Sequence, residues 1–464
     1  MRIAIVGAGP AGLYAVSHLL EYRDHAIEVD LIERLPTPWG LIRSGVAPDH
    51  SEKKMITDRL FDFVLRDERV RFLGNVSVGH DVQVAELASW YDAVIYAHGA
   101  GDHNTIGIAG EELPGVWGAR DFVQFYNAHP DQAHLGFDLS HPRAIIVGNG
   151  NVALDVARIL TTDIAVLEKT DIAEHALAVL RTSRVREVVI MGRRDMDFAA
   201  FNNPELEEFE HLQGVDIVVH GKIKPPIPGV DALATWRAER RYEILCKLSE
   251  RPHSPGNKRI VFHFLAAPVA LCGQGRVERI DYVTNRVIQT GGAVQYENGN
   301  KVESIEAGLV LSACGYRGAP LPGLPFDSAT GVIPNKSGRV WDGGSAMTGT
   351  YVTGWIKRGC RGIIGSNRRC AQETVSALVA DRDAGSLRTG TMSRDEVKSV
   401  LLARNPSVIM YDNWRAIDRA ERMAGRSSGR PRVKLAQIDS LLETAFMPQT
   451  ANSTRTEVKA SGVS

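Results

Sequence analysis

Two glycine clusters constrain this chain more than any other feature. Gly7-Ala8-Gly9-Pro10-Ala11-Gly12 follows the apolar run Arg2–Val6 and precedes a helix-like stretch at 13–21. About 140 residues later, Gly148-Asn149-Gly150-Asn151-Val152-Ala153 follows Arg143–Val147 and precedes a second helix-like stretch at 152–160. The spacing G-x-G-x-x-G/A between a strand and a helix is that of a phosphate-binding turn. The first glycine makes the turn, and the second lets backbone approach a pyrophosphate. The third small residue lets the helix pack on the strand. The helix N-terminus then presents its N–H groups and positive dipole to the phosphates. Two such units predict an α/β chain with two Rossmann-like dinucleotide-binding domains, and 464 residues is too long for a single ordinary core.

The residue at the end of the following strand tells the two turns apart. After the first turn, the strand at 27–32 ends in Glu33, about 20 residues past Gly12. A carboxylate there accepts hydrogen bonds from ribose hydroxyls and repels a 2′-phosphate, so this site favours FAD or NAD. After the second, the strand Glu187–Met191 ends in Gly192-Arg193-Arg194. Two guanidinium groups suit a 2′-phosphate through charge-assisted bonds, so this site reads NADP(H). A flavin site and an NADPH site in one chain imply hydride transfer from nicotinamide to flavin.

The rest of the chain sets limits. Net charge is −1, which supports no global role on nucleic acid or membrane surfaces. No run of 18 apolar residues occurs and no signal peptide is evident, so a cytoplasmic location is the default. The five cysteines, at 246, 272, 314, 360 and 370, form no Cys-x-x-Cys. An iron–sulfur cluster taking electrons onward therefore belongs to another protein, and no metal site is expected. Residues 222–228 read as a Pro-rich loop and 259–288 as antiparallel strands. Helices are expected at 370–381, 395–404, 414–424 and 435–445, and 448–464 as a polar tail without periodicity.

The stretch 33–50, Glu-Arg-Leu-Pro-Thr-Pro-Trp-Gly-Leu-Ile-Arg-Ser-Gly-Val-Ala-Pro-Asp-His, resembles the signature of ferredoxin–NADP reductases of the adrenodoxin reductase type. Residues 147–158, 315–325, 351–367 and 429–435 carry the same likeness, the last toward the bacterial branch. The resemblance implies an FAD domain of 1–107 with 319–445 and an NADPH domain of 108–318 inserted into it, and it leaves out 446–464, which is expected to be a disordered tail from its polar, aperiodic sequence. It implies that Gly40, Leu41, Trp355, Gly362, Ile363 and Ile364 line the flavin, with the helix after Gly365 facing the ring. It also sets Gly362 and Glu205 beside NADP, and pairs His50 with Glu208 near flavin and nicotinamide as an auxiliary to proton traffic. Read locally, Asn203-Pro204-Glu205 is equally a helix start with Asn203 as cap and Pro204 in the first position.

The implied activity passes electrons from NADPH through FAD singly to a ferredoxin, which supplies for example a cytochrome P450. Ferredoxins are acidic, so docking is expected on basic residues. The candidates are Arg237, Arg240 and Arg241, or the run Arg415, Arg419, Arg422, Arg426, Arg430, Arg432 and Lys434. The chain departs from the family at Asp195-Met196-Asp197-Phe198, where Gly-Pro-Leu-Gln is usual, and at Cys360-Arg361 in place of Pro-Thr. The two acids bear on NADPH preference. Rival readings are direct reduction of a small molecule, quinone or oxygen, which would turn over without a protein acceptor, and an FAD-binding scaffold, which NADPH would not bleach.

Overall fold

The structure is a computed structural model and describes all residues except 24–25, 222, 227–230, 291–292 and 449–464. Most of the expected polar tail therefore lies outside the described residues, as does part of the expected loop at 222–228. Phe446 still belongs to the helix Ile438–Phe446.

Two large sheets organise the chain. The first has seven strands, in the order Asn335–Lys336, Arg339–Asp342, Ser345–Val352, Ala93–Tyr96, Arg2–Val6, Glu28–Ile32 and Val70–Leu73. The last five run parallel, and the first two add an antiparallel edge. Ser345–Val352 comes from the C-terminal third, yet pairs directly with Ala93–Tyr96. The second sheet has six parallel strands, ordered Val116–Gly118, Leu309–Ser312, Arg143–Val147, Glu187–Met191, Lys258–His263 and Val215–Val219. The chain passes between the two sheets twice, and Asp102–His103 and Tyr316–Arg317 pair antiparallel at those crossings.

The central strands are continuous apolar runs because both faces are covered, as parallel sheets require. Ile3 and Ile5 belong to one apolar cluster and Ala4 and Val6 to another, on opposite faces of the first sheet. Ile146 and Ile145 divide in the same way in the second sheet.

One expectation fails here. Lys258–His263 falls in the stretch 259–288 expected to be antiparallel, but it lies parallel between Glu187–Met191 and Val215–Val219. Only Ala266–Cys272, Arg279–Thr284 and Val302–Glu306 form an antiparallel three-stranded sheet, with Arg286–Thr290 and Ala293–Glu297 as a separate hairpin. A short apolar run carries no information about the direction of its neighbours.

Candidate functional site

In the first turn the three glycines have different reasons to be glycine. Gly7 has φ 107°, and a Cβ there would sit 2.6 Å from the Ala97 carbonyl oxygen. A Cβ on Gly12 would meet the Gly7 carbonyl oxygen at 2.0 Å. Gly9 is different: its Cβ would meet nothing nearer than Gly40 Cα, at 3.8 Å. The protein's own packing accounts for the outer two but not for the middle one, whose open face fits a closely approaching phosphate. Pro10 opens the helix Pro10–Leu20 with Gly9 as N-cap, so the helix begins earlier than the expected residue 13. Ala11 follows in that first turn, which holds no acidic residue to offset the positive end of the dipole.

Glu33 reaches back over this turn. Its Oε2 accepts from the Ala8 N–H at 2.8 Å and its Oε1 from the Leu35 N–H at 3.0 Å. Burial pushes its carboxyl up, and those two N–H groups oppose the shift. The Trp39 N–H donates to the Ala8 carbonyl at 2.9 Å. Gly40, at φ 49°, lies so close over Gly9 that a Cβ would sit 2.8 Å from Gly9 Cα. Leu41 starts the short helix Leu41–Ser44 from there. Trp39 itself is held at φ 87°, rare for a bulky residue, by Phe61 at 6.4 Å and Trp414 at 6.0 Å between ring centroids.

The C-terminal part brings a second wall to the same place. Gly354, with φ 78°, approaches the first helix so closely that a Cβ would meet the Ala11 Cβ at 2.5 Å. Trp355 follows. Its indole N–H is buried with no hydrogen-bond partner among the described residues, and its ring lies 5.5 Å from Tyr316. Gly362 (φ 89°), Ile363 and Ile364 then lead through Gly365 into the helix Ser366–Asp383. Ile363, an apolar side chain, is 61% exposed. A flat, hydrogen-bonding ring system fits both.

The second turn repeats the first with one difference. Gly148 has φ 119°, and its Cβ would meet the Ala313 carbonyl oxygen at 2.5 Å. A Cβ on Gly150 would meet nothing within 4 Å, leaving the same open face. Ala153, fully buried, takes the third position. The Asn149 carbonyl accepts from the Ala200 and Phe201 N–H groups, and Asn151 Oδ1 accepts from the Asn202 N–H at 2.8 Å. Val152 follows in the first turn of the helix Asn151–Thr161. Arg193 and Arg194 are both exposed past the strand end. Asp195 turns its carboxylate onto the Met196 N–H at 2.6 Å, at the head of a short helical turn. The next helix, Asn203–Glu207, has Asn202 rather than Asn203 at its N-cap position, without a side-chain capping bond, so Pro204 is its second residue and not its first.

Between the two units lies a charged cluster. His50 Nε2 and Glu208 Oε2 are 2.6 Å apart, as the resemblance implied. Sequence reasoning missed the groups around them. Lys53 Nζ donates to Glu205 at 2.8 and 3.0 Å, to Glu208 Oε1 at 3.2 Å and to His50 Nδ1 at 3.2 Å. The Arg158 guanidinium, nearly fully buried, bonds Asp49 and Asp155 and touches both His50 Nε2 (2.9 Å) and Glu208 (3.2 Å). Burial would raise the Glu208 carboxyl, but His50, Arg158 and Lys53 hold it down at about 2. Burial also works against the Lys53 ammonium, and its two glutamates outweigh it and raise its pKa. His50, Glu205 and Glu208 lie within 4.8 Å of one another, a spacing that suits a metal ion. Here Lys53 and Arg158 supply the positive charge. The signal was present: Asp155 and Arg158 are an i,i+3 pair on a fingerprint helix, too polar for a helix face that is otherwise apolar.

Both expected docking clusters are largely spent inside the molecule. Arg241 is buried and donates to the Met196, Asp197 and Phe201 carbonyls. Arg240 pairs with Glu207 and Glu243, leaving Arg237 as the exposed member without an ionic partner among the described residues. In the second run, Arg415 bonds Asp62, and Arg422 bonds Asp418 and Asp58. Arg432 bridges Asp418 and Glu421, and Glu421 also holds Arg43. Arg430 is buried against Glu174 and the Thr170 and Ile172 carbonyls. Lys434, also buried, bonds Asp171, Asn127 and the Arg43 carbonyl, each at 3.0 Å. This run straps the two sheets' domains together, and only Arg419 and Arg426 remain exposed on it. Among the described residues no helix is long and apolar enough to cross a membrane.

Residues 1–224 match the family described as pyridine nucleotide-disulphide oxidoreductase. The chain is 45% identical to the NADPH-ferredoxin reductase FprA of Mycobacterium tuberculosis, covering 95% of this chain and 98% of that one. It is 37% identical to the mitochondrial NADPH:adrenodoxin oxidoreductase of Arabidopsis thaliana, covering 96% and 95%. The solved structure of Mycobacterium tuberculosis FprA in complex with NADPH superposes with a TM-score of 0.90 at 44% identity, over 96% of this chain and 99% of that one.

Proposed function

The chain belongs to the family of NADPH-ferredoxin reductases of the adrenodoxin oxidoreductase type, and from that premise we propose that it carries electrons from NADPH through FAD to a ferredoxin. The observation that carries the reading is the pair of open-faced turns ending in opposite charge, Glu33 after one and Arg193-Arg194 after the other. We take 1–107 with 319–445 as the flavin unit and 108–318 as the NADPH unit, a division supported by the two sheets and the paired crossing strands. The enzyme is read as cytoplasmic.

FAD, when bound, accepts a hydride and releases electrons one at a time. The chain's residues hold and orient. Gly7, Gly9, Pro10, Ala11 and Gly12 offer backbone to the flavin pyrophosphate, and Glu33 offers a carboxylate to the ribose. Gly40 and Leu41 close over the turn. Trp355, Gly362, Ile363 and Ile364 wall the ring, and the helix N-terminus after Gly365 favours negative charge on it. Gly148, Asn149, Gly150, Asn151 and Val152 cradle the second pyrophosphate, with Gly362 and Glu205 near the same nucleotide. Arg193 and Arg194 grip the 2′-phosphate. His50 and Glu208 manage charge where the two rings meet.

The test is an anaerobic titration of the purified holoenzyme with NADPH and, in parallel, NADH. It is followed by addition of an acidic ferredoxin with cytochrome c as reporter. Fast bleaching of the flavin band by NADPH and cytochrome reduction that requires the ferredoxin are expected. Equally fast NADPH oxidation with no protein acceptor would favour direct reduction of a small molecule or oxygen, and no bleaching would sink the reductase reading.

A further inference from the structure

At the end of a central strand of the seven-stranded sheet stands a histidine with nothing to bond. Ala93–Tyr96 pairs on one side with Arg2–Val6 and on the other with Ser345–Val352. The ladders close at its C-terminal end. There the Ala97 N–H donates to the Val6 carbonyl at 2.7 Å, and the Thr353 N–H donates to the Tyr96 carbonyl at 2.9 Å. His98 is the next residue. A Cβ on Gly7 would stand 2.9 Å from the His98 Cα, so His98 abuts the first phosphate-binding turn. On its other side Thr353 leads into Gly354 and Trp355. Position 98 therefore lies between the turn read as the pyrophosphate site and the wall read as the ring site. Parallel sheets bind their ligands at these strand ends.

Both ring nitrogens of His98 are closed off from solvent, and neither completes a hydrogen bond among the described residues. The Tyr96 ring stands edge-on, 6.5 Å away between centroids. Burial lowers the pKa of His98 to about 4, and the Ala319 carbonyl nearby opposes that fall. At neutral pH the imidazole is thus uncharged, with one N–H and one lone pair. The N–H has the Ala319 carbonyl to turn to. The lone pair has no donor, and a buried acceptor left unpaired is costly.

We propose that His98 accepts a hydrogen bond from a ribityl hydroxyl of FAD and so helps to hold the flavin. The pyrophosphate offers oxygens without hydrogens and cannot serve a lone pair. The ribityl chain joins the pyrophosphate to the ring and carries three hydroxyls, each able to donate. With the pyrophosphate at the Gly7 turn and the ring at Trp355, that chain must pass the strand end that His98 occupies.

The proposal rests on the reading of the first turn as the flavin site, and one experiment separates the two. Full-length holoenzyme is equilibrated with excess FAD mixed with FAD lacking the 2′-, 3′- or 4′-hydroxyl, and the bound flavins are counted by chromatography. The same exchange is run on His98→Val. In the variant, the preference for FAD over one of the three analogues should fall about tenfold, the worth of one hydrogen bond. The preferences over the other two should stay native. Because both flavins compete for one site, a general loss of affinity cancels from the ratio. If the valine chain does not fold, His98→Phe keeps a flat ring without a lone pair and carries the same expectation. Native preferences for all three analogues in the folded variant would overturn the proposal and leave a buried water as the partner of the ring. Equal falls for all three would overturn it too, and would assign His98 to the shape of the site. A native chain that holds no flavin would sink the flavin reading itself, and the proposal with it.

Discussion

The two turns share one backbone design and differ in how much of it each could do without. In the first, the third position cannot be anything but glycine, since a Cβ on Gly12 would stand 2.0 Å from the Gly7 carbonyl oxygen. In the second, Ala153 fills that position and is completely buried. The middle glycines, Gly9 and Gly150, are alike in facing open space. The helix therefore packs more tightly on its strand in the first unit, while both leave the same room in front. The strand ends differ more. Glu33 is tied down by two backbone N–H groups, whereas Arg193 and Arg194 extend into solvent. A pre-set carboxylate suits a resident group, and free guanidiniums suit a ligand that comes and goes.

The sharpest way to break this comparison is a valine at one glycine in each unit. Gly12→Val should yield protein that retains no flavin and loses most of its soluble yield, read from visible absorbance per mole of chain. Gly150→Val should stay folded and yellow while its affinity for NADPH falls about 100-fold, the loss of ~3 kcal/mol of charge-assisted hydrogen bonding. A yellow, soluble Gly12→Val would refute the packing argument. Next in size are Arg193→Ala and Arg194→Ala. Each should lower kcat/KM for NADPH about 10- to 100-fold, the cost of a bond to a charged group, and leave NADH untouched. An equal loss with both nucleotides would assign the arginines to the fold. The smallest effect should come from Asp195→Asn. Its carboxylate is engaged by the Met196 N–H, so relief of repulsion should improve NADPH affinity only about two- to threefold. A tenfold gain would mean that Asp195 faces the phosphate.

What was legible in the chain was what local chemistry dictates. The glycine spacing, the strand that ends in Glu33 and the one that ends in Arg193-Arg194 each need only some 30 neighbouring residues to interpret. Orientation was not local: nothing in Lys258–His263 itself says that its neighbours run parallel. Charge was harder still. The run from Arg415 to Lys434 read as a basic face because, apart from Asp418 and Glu421 within it, its partners are far away in sequence. Asp62 lies at one end of the chain, and Asp171 and Glu174 lie in the inserted part. Lys53 escaped notice for the same reason, since its carboxylates come from about 150 residues downstream. Buried cations are found by their acceptors, and a sequence keeps donor and acceptor apart.

The insertion of one sheet into another has a consequence for how the molecule is made. Synthesis proceeds from the N-terminus, and domains fold as units once their segments have emerged. Every strand of the six-stranded sheet has left the ribosome by Ser312. The seven-stranded sheet must wait for Ser345–Val352, which flanks Ala93–Tyr96. The Arg430 and Lys434 contacts that bind the two parts arrive later still. The half that begins second is thus finished first. The N-terminal strands spend most of translation with the apolar edge of Ala93–Tyr96 unpaired, a stretch of time in which chaperone capture, flavin supply and translation speed all bear on the yield of active protein.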